Sequence, residues 1–490
     1  MTLSKSQYIR GLQCHKSLWL YKNRPDLRTE PNKAQESLFN TGYEVGELAK
    51  QLFPCGIEIV FDSDDFNGMI EKTKELIANT TEVIYEATFS ENGIFAMADI
   101  LVKNGDAWDM YEVKASTKVK GYQVEDAAIQ WYALGSAIRL NRAYIVHINN
   151  QYVRKGALDI DALFTIADIT EEVQAKQYAI EYNLTEMKQM LKGEMPNIDI
   201  GGHCDDPFGC DFKEHCWKHV PNLSVFNLYW MGGAKKFEMY YKGIVTYDDI
   251  PDDFRLSATQ KLQVETAKTA KPHMDKQVIE KFLDTIEYPI NFFDFETFQN
   301  TIPRFDDQRP YQQIPFQYSL HILHEDGTME HKEFLGDENS DPRQALIAQM
   351  LTDITKEGSI IAYNQSFEIS RIKELAAFDE NNKAILLALN ERFVDLIVPF
   401  RGRGYYHPDF NGSFSIKSVL PALFPDDPEL DYKQLGSVQN GGDAMDTFAN
   451  LHLLKNKNKR DEIRKDLLAY CRLDTLAMVK IWEKLYQIVE

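Results

Sequence analysis

Along the chain the spacing of apolar residues alternates between a two-residue rhythm and a three-to-four-residue one, so strands and helices are expected to interleave. Phe95–Lys103 and Ala107–Lys114 read as strands. Asn104-Gly105 marks a two-residue hairpin between them, because such a turn needs positive φ. With those two residues as the loop, Lys103 pairs with Asp106 and Asp99 stands opposite Met110. Glu112 is then its diagonal neighbour, and Asp99, Glu112 and Lys114 share one face. Residues 221–288 are mostly polar and helical, broken at Gly232-Gly233, Pro251 and Pro272. Within them 237–250 fits a small helix–turn–helix or, preferred, a plain helical connector. A new apolar strand opens at Ile290–Glu296, followed by strand, turn (Glu325-Asp-Gly327) and strand. A helix at 342–356, a buried strand at Ser359–Tyr363 and a helix carrying Glu368 in its first turn come next. Residues 466–478 are helical, which stacks Tyr470 and Asp474 at i and i+4. This alternation predicts an α/β protein with a mixed sheet and helices on its faces. The expected division is 1–220, a connector at 221–288, and 289–490.

Composition narrows the class. With 44% hydrophobic and 26% charged residues over 490 positions, disordered, collagen-like and disulfide-scaffold readings are excluded. No apolar run is long enough to span a membrane, and the first residues lack a secretory signal, so a cytoplasmic location is expected. A formal net charge of −21 provides no global field for phosphate. A nucleic-acid partner would need a local basic groove or carboxylate-bound divalent cations.

Two carboxylates on a hairpin, Asp99 and Glu112, can grip one divalent cation with Lys114 beside them. The cation activates water and polarises a phosphoryl oxygen, and the ammonium steadies developing charge. The plain alternative is a solvated, ion-paired face. These residues resemble the PD-(D/E)XK nucleases, in the RecB-like group that includes the CRISPR-associated adaptation nucleases. Asp99 and Glu112-Val113-Lys114 match the motif, Glu86 matches the acidic residue of the preceding strand, and Gln130 the glutamine of the following helix. Where many relatives carry a metal-binding histidine, Tyr43–Glu47 offers only Glu44 or Glu47. The tyrosine expected after the glutamine is off its usual offset, with Tyr132 nearby.

Three of the six cysteines, Cys204, Cys210 and Cys216, fall within thirteen residues. In a cytosolic chain this clustering reads as metal binding, although the five-residue gaps are poor zinc-finger spacing. The same RecB-like resemblance implies a 4Fe-4S cluster on these three and the remote Cys14, with structural zinc as the main rival. Its role would be to staple the ends of the domain. Cys55 and Cys471 are expected to be buried small hydrophobes.

In the last segment Asp294 and Glu296 lie two apart on a strand, hence on one face. A carboxylate on an apolar central strand is costly to bury without a partner. Asp294-Phe-Glu296, Asn364-Gln-Ser-Phe-Glu368 and Tyr470-Cys-Arg-Leu-Asp474 resemble the motifs of the DEDD exonucleases of the RNase H-like superfamily, in the subgroup with a tyrosine. The resemblance implies 3′–5′ exonuclease activity. Two divalent ions, Mg²⁺ or Mn²⁺, would be held by Asp294, Glu296, Glu368 and Asp474, and Tyr470 would orient the attacking water. Asp395 resembles the aspartate of a later strand and is assigned a supporting place. The resulting expectation is a nuclease with two metal-dependent domains, acting on nucleic acid, with single-stranded or end-containing DNA favoured. The alternatives are a nucleic-acid-binding or complex-assembly protein with one inactive domain, and an iron–sulfur redox sensor.

Overall fold

The computed structural model describes residues 2–31, 33–79 and 81–490. It is a mixed α/β structure whose contacts divide into two compact units, residues 1–219 with 301–311, and residues 220–300 with 312–490. The expected connector is thus no separate segment. It packs within the second unit around its own small core of Val225, Leu228, Met231, Met239, Tyr247 and Ile250. Only one helix, Gly233–Tyr241, enters the 237–250 stretch, so the helix–turn–helix alternative does not form.

In the first unit β1 (Leu3–Ser4), β2 (Ile57–Glu58), β3 (Val83–Glu91), β4 (Ile94–Asn104), β5 (Ala107–Lys114), β6 (Leu140–Ile148) and β7 (Phe164–Asp168) form one sheet. Its order is β2-β3-β4-β5-β6-β7, with β1 alongside β4. Alternation sorts the side chains between two faces. Ile84, Leu101 and Ile145 join the core under the helices Gly121–Leu134 and Thr170–Met190, while Tyr85, Ile100 and Val146 pack on the opposite face with Val45 and Ala49. The hairpin register differs from the expected one. Asn104 pairs with Ala107 and Leu101 with Met110, so the turn residues are Gly105 and Asp106. Gly105 takes positive φ (61°) at the first central position, while Asn104 stays in the strand. The slip moves the pairing without changing which face a side chain occupies.

In the second unit β8 (His273–Met274) pairs with β14 (Tyr405–Tyr406). The main sheet holds β9 (Ile290–Phe298), β10 (Ile314–Leu323), β11 (Met329–Leu335), β12 (Ile360–Ala362) and β13 (Phe393–Asp395), in the order β11-β10-β9-β12-β13. The first three strands are antiparallel, while β9, β12 and β13 run parallel. Phe293 and Phe295 point into a core with Tyr318, Leu320 and the helix Arg343–Asp353. The alternate residues of β9 face the long helix Lys457–Val489, where Phe292 meets Trp482. Gly358, at φ 83°, precedes β12, and a Cβ there would lie 2.0 Å from the Pro289 carbonyl oxygen. Gly358→Ala should therefore lower stability by about 1–3 kcal/mol through backbone strain alone, with the collision adding to it. A shift of the denaturant midpoint checks this.

Candidate active sites

The corrected register has a chemical consequence in the first unit. Carried one step beyond Ile100–Tyr111, it sets Asp99 opposite Glu112, and the β3–β4 ladder sets Glu86 opposite Asp99. Three acids on three neighbouring strands thus share one row. Regular pairing is interrupted there. Glu86 adopts φ 57°, an outlier for a non-glycine residue within a strand, and the Asp99 carboxylate accepts the Val113 backbone N–H at 2.6 Å. Glu112, 1% exposed, accepts Lys114 Nζ (2.6 Å) and Lys5 Nζ (2.7 Å) on one oxygen and Gln130 Nε2 (2.6 Å) on the other. Asp126 closes the network with contacts of 2.6 Å to Lys114 and 3.3 Å to Lys5.

Burial alone would raise the Glu112 carboxyl, but Lys114 and Lys5 outweigh it and hold it well below the usual range. The Asp99 carboxyl is pushed up to about 6 by burial and Glu112, and the Glu86 carboxyl to about 8 by burial and Asp99. The residues named from sequence therefore converge, and Lys5 and Asp126 join them. Asp126 sits one turn before Gln130 on the same helix. Lys5 follows Ser4, which forms a capping box with Gln7; a cation in that first turn opposes the helix dipole, which was its one local signal. Glu44 is exposed, and Glu47 pairs with Lys50 at 2.5 Å. Tyr132 packs against the core formed beneath the sheet.

Cys14, Cys204, Cys210 and Cys216 line one pocket, with free thiols. Cys14 caps the helix Lys5–Gln13 whose other end carries Lys5. Around it Arg10 pairs with Asp211 at 2.5 Å, and Gln13 donates to the carbonyls of His203 (2.8 Å) and Phe208 (2.7 Å), so the cysteine loop is pinned to this helix. Burial pushes the Cys14 and Cys216 thiols up, and the neighbouring cysteines add to this. Cys471 is buried as expected, whereas Cys55 is exposed, in a turn at φ 67° that lifts it off the core.

In the second unit Asp294 and Glu296 on β9, Glu368 from the helix Ser366–Phe378, and Tyr470 and Asp474 from the long helix line a single pocket. Ligand oxygens of Asp294, Glu296 and Asp474 all lie within 4.8 Å of one another, and among the described residues this is the group of three gathered that closely. Glu368 stands at the same pocket, 3% exposed, with Oε2 lacking any hydrogen-bond partner. Burial and then the neighbouring carboxylates raise Asp294 and Glu296 well above the normal range, and burial takes Glu368 to about 8. Asp395 instead accepts the backbone N–H groups of Asn364 (2.8 Å) and Ile397 (3.1 Å), shaping the turn that leads to Glu368.

Two further residues contact the groups of this pocket, Lys417 from its lining and Tyr432 from behind it. Lys417 donates to Tyr470 Oη at 3.0 Å and lies over the rings of Tyr432 (4.5 Å) and Tyr470 (4.7 Å), while Tyr432 donates to Asp474 at 2.5 Å. Neither belongs to a motif, and nothing in their local sequence marks them.

Residues 291–415 match the model of a domain of unknown function, DUF2779, which thus takes in β9, Glu368 and Asp395 but stops before Lys417 and Tyr470. The chain is also similar to uncharacterized protein UU173 of Ureaplasma parvum (30% identical) and uncharacterized protein MG366 of Mycoplasma genitalium (26% identical). Each match covers 39% of this chain and 30–31% of the relative's length, so the chain spans about a third of the curated relatives it matches.

The crowded acids make stability pH-dependent. Glu368, with its folded pKa raised from 4.5 to about 8, holds more protons folded than unfolded across that window. Stability present in acid is therefore lost as pH rises through it. In chelator, the melting temperature should fall from about pH 5 to about pH 8.5, and Mn²⁺ should flatten that decline. Glu368→Gln should remove part of the slope in chelator, and an unchanged slope would contradict the assignment.

Proposed function

We propose that the chain is a metal-dependent nuclease acting on nucleic acid, DNA favoured, with a 3′–5′ exonuclease centre in the second unit. The observation that carries this reading is the pocket where three carboxylates close to within 4.8 Å and a fourth, buried, has an unpartnered oxygen. Like charges so placed call for divalent cations. The strand order supports an RNase H-like domain, since the acid-bearing β9 lies centrally, with antiparallel neighbours on one side and parallel ones on the other. Mg²⁺ or Mn²⁺ held by Asp294, Glu296, Glu368 and Asp474 would supply Lewis acidity and a more acidic water. Tyr470 lies one helical turn from Asp474 with its hydroxyl toward Lys417, so it orients the attacking water rather than binding metal. Lys417 brings the positive charge that stabilises the departing phosphate oxygen.

The first unit carries the PD-(D/E)XK nuclease domain. Asp99, Glu112 and Lys114 form its centre, Glu86 adds a carboxyl, and Gln130 orients Glu112. A 4Fe-4S cluster on Cys14, Cys204, Cys210 and Cys216 would tie residue 14 to the 204–216 loop. The four thiols line one pocket, which supports a single metal group held between them, with structural zinc as the rival. A second reading, in which the first unit binds nucleic acid without cutting it, draws support from the two lysines that already neutralise Glu112.

End-labelled single- and double-stranded substrates with Mn²⁺ test the proposal. Asp294→Ala should abolish 3′ trimming and spare cleavage that depends on Glu112 and Lys114; loss of every product would refute two separate centres. Tyr470→Phe should slow trimming about 10²–10⁴-fold while leaving Mn²⁺ affinity unchanged. Protein purified without air should be brown and contain iron and sulfide. Cys14→Ala and Cys210→Ala should bleach it and Cys55→Ala should not, and zinc without iron would overturn the cluster.

A further inference from the structure

The exonuclease pocket does not end at its acids. A second groove in the same unit shares Tyr363, Asn364 and Ile416 with it, and continues along Trp230, Arg401 and Lys236. We infer that this groove is the strand-binding subsite of the exonuclease centre. It takes an unpaired nucleic-acid strand whose 3′ end enters the acidic pocket, with Trp230 as the platform on which a base stacks. The inference rests on the exonuclease reading for the direction of the strand.

Trp230 is 87% exposed, the largest aromatic side chain presented so fully by the second unit, and its backbone stands at φ 51°, where bulky residues rarely sit. A lone exposed aromatic is ordinary, but this one is held in place. Immediately before it, Tyr229 N–H donates to Gln263 Oε1 (3.0 Å) and the Tyr229 carbonyl accepts from Gln260 Nε2 (2.8 Å). Gln263 also donates to the Asn227 carbonyl at 2.9 Å. Both glutamines are buried. The Tyr229 ring packs edge-on against Phe414, 4.7 Å away, and a Cβ on Gly412 would lie 1.9 Å from the Asn227 oxygen. The segment is thus clamped from two sides while its indole is left to solvent.

Charge selects the occupant. The chain carries a net −21, and the neighbouring pocket is lined by four acids, yet the groove presents Arg401 and Lys236. Among the described residues neither is paired with a carboxylate, and Lys236 Nζ is held by the Phe226 carbonyl at 2.7 Å, which fixes it at the groove wall. Phosphate groups would meet these cations, and an open base face would meet the indole. A duplex hides its base faces, so the chemistry is that of a single strand.

The test uses the full chain and a fluorescein-labelled oligodeoxythymidylate of about ten nucleotides, with Ca²⁺ replacing Mg²⁺ or Mn²⁺ so that the strand binds without being cut. By anisotropy, Trp230→Ala should weaken binding about 5- to 150-fold, while Trp230→Phe should keep most of it. Arg401→Ala should weaken it and reduce its salt dependence. Hydrolysis of the p-nitrophenyl ester of thymidine 5′-phosphate with Mn²⁺ should be the same for Trp230→Ala and the wild type, because this small diester does not reach the groove. Unchanged oligonucleotide binding by Trp230→Ala, no binding by the wild type, or equal affinity for a blunt duplex would each overturn the subsite. Trp230-dependent binding by a protein that cannot hydrolyse the diester would uphold the subsite and overturn the exonuclease reading alone.

Discussion

Like-charge crowding is the constraint on which the second unit depends. Two unit charges 4.8 Å apart repel by about 3–4 kcal/mol at an effective dielectric constant of about 20. Three such pairs approach on the order of 10 kcal/mol, comparable with the whole stability of a typical domain. The fold nevertheless brings them together, because β9 alternates phenylalanines toward one core with acids toward the long helix. The alternation that builds the sheet therefore concentrates the charge. Lys417 and the Tyr432 hydroxyl relieve part of it, and protons or cations must relieve the remainder.

The first unit meets the same difficulty with internal cations. Lys5 and Lys114 converge on one oxygen of Glu112, which stays ionised, while Asp99 and Glu86 hold protons more tightly than free carboxyls do. The difference lies in where the positive charge comes from. One centre carries it in the chain, and the other leaves room for it to arrive from solution.

Periodicity made the strands, the faces and the acid positions legible, because each depends only on residues a few places apart. The hairpin turn was displaced by one residue, since the choice between Asn104-Gly105 and Gly105-Asp106 depends on which position takes positive φ. That single step turned a diagonal pair into a direct one. Lys5, Lys417 and Tyr432 are not legible in the sequence because each reaches its partner across 42 to 107 residues of chain, and no local rule spans that distance. The packing of residues 221–288 within the second unit is hidden in the sequence for a related reason. Its polar glutamines, Gln260 and Gln263, look like surface residues in sequence, yet they are buried to hold the backbone of 227–229.

Residues 301–311 interrupt the second unit and belong by their contacts to the first. Arg154 donates from its side chain to the Pro303 carbonyl and from its backbone N–H to the Gln308 carbonyl, and the Tyr311 hydroxyl donates to the carbonyl of Ala115, next to Lys114. The polypeptide therefore crosses the division three times. No single cleavage yields two whole parts, because severing the chain near residue 220 leaves the first part without its eleven-residue insert. The units are braided in sequence, so each inherits part of its integrity from the other's connectivity.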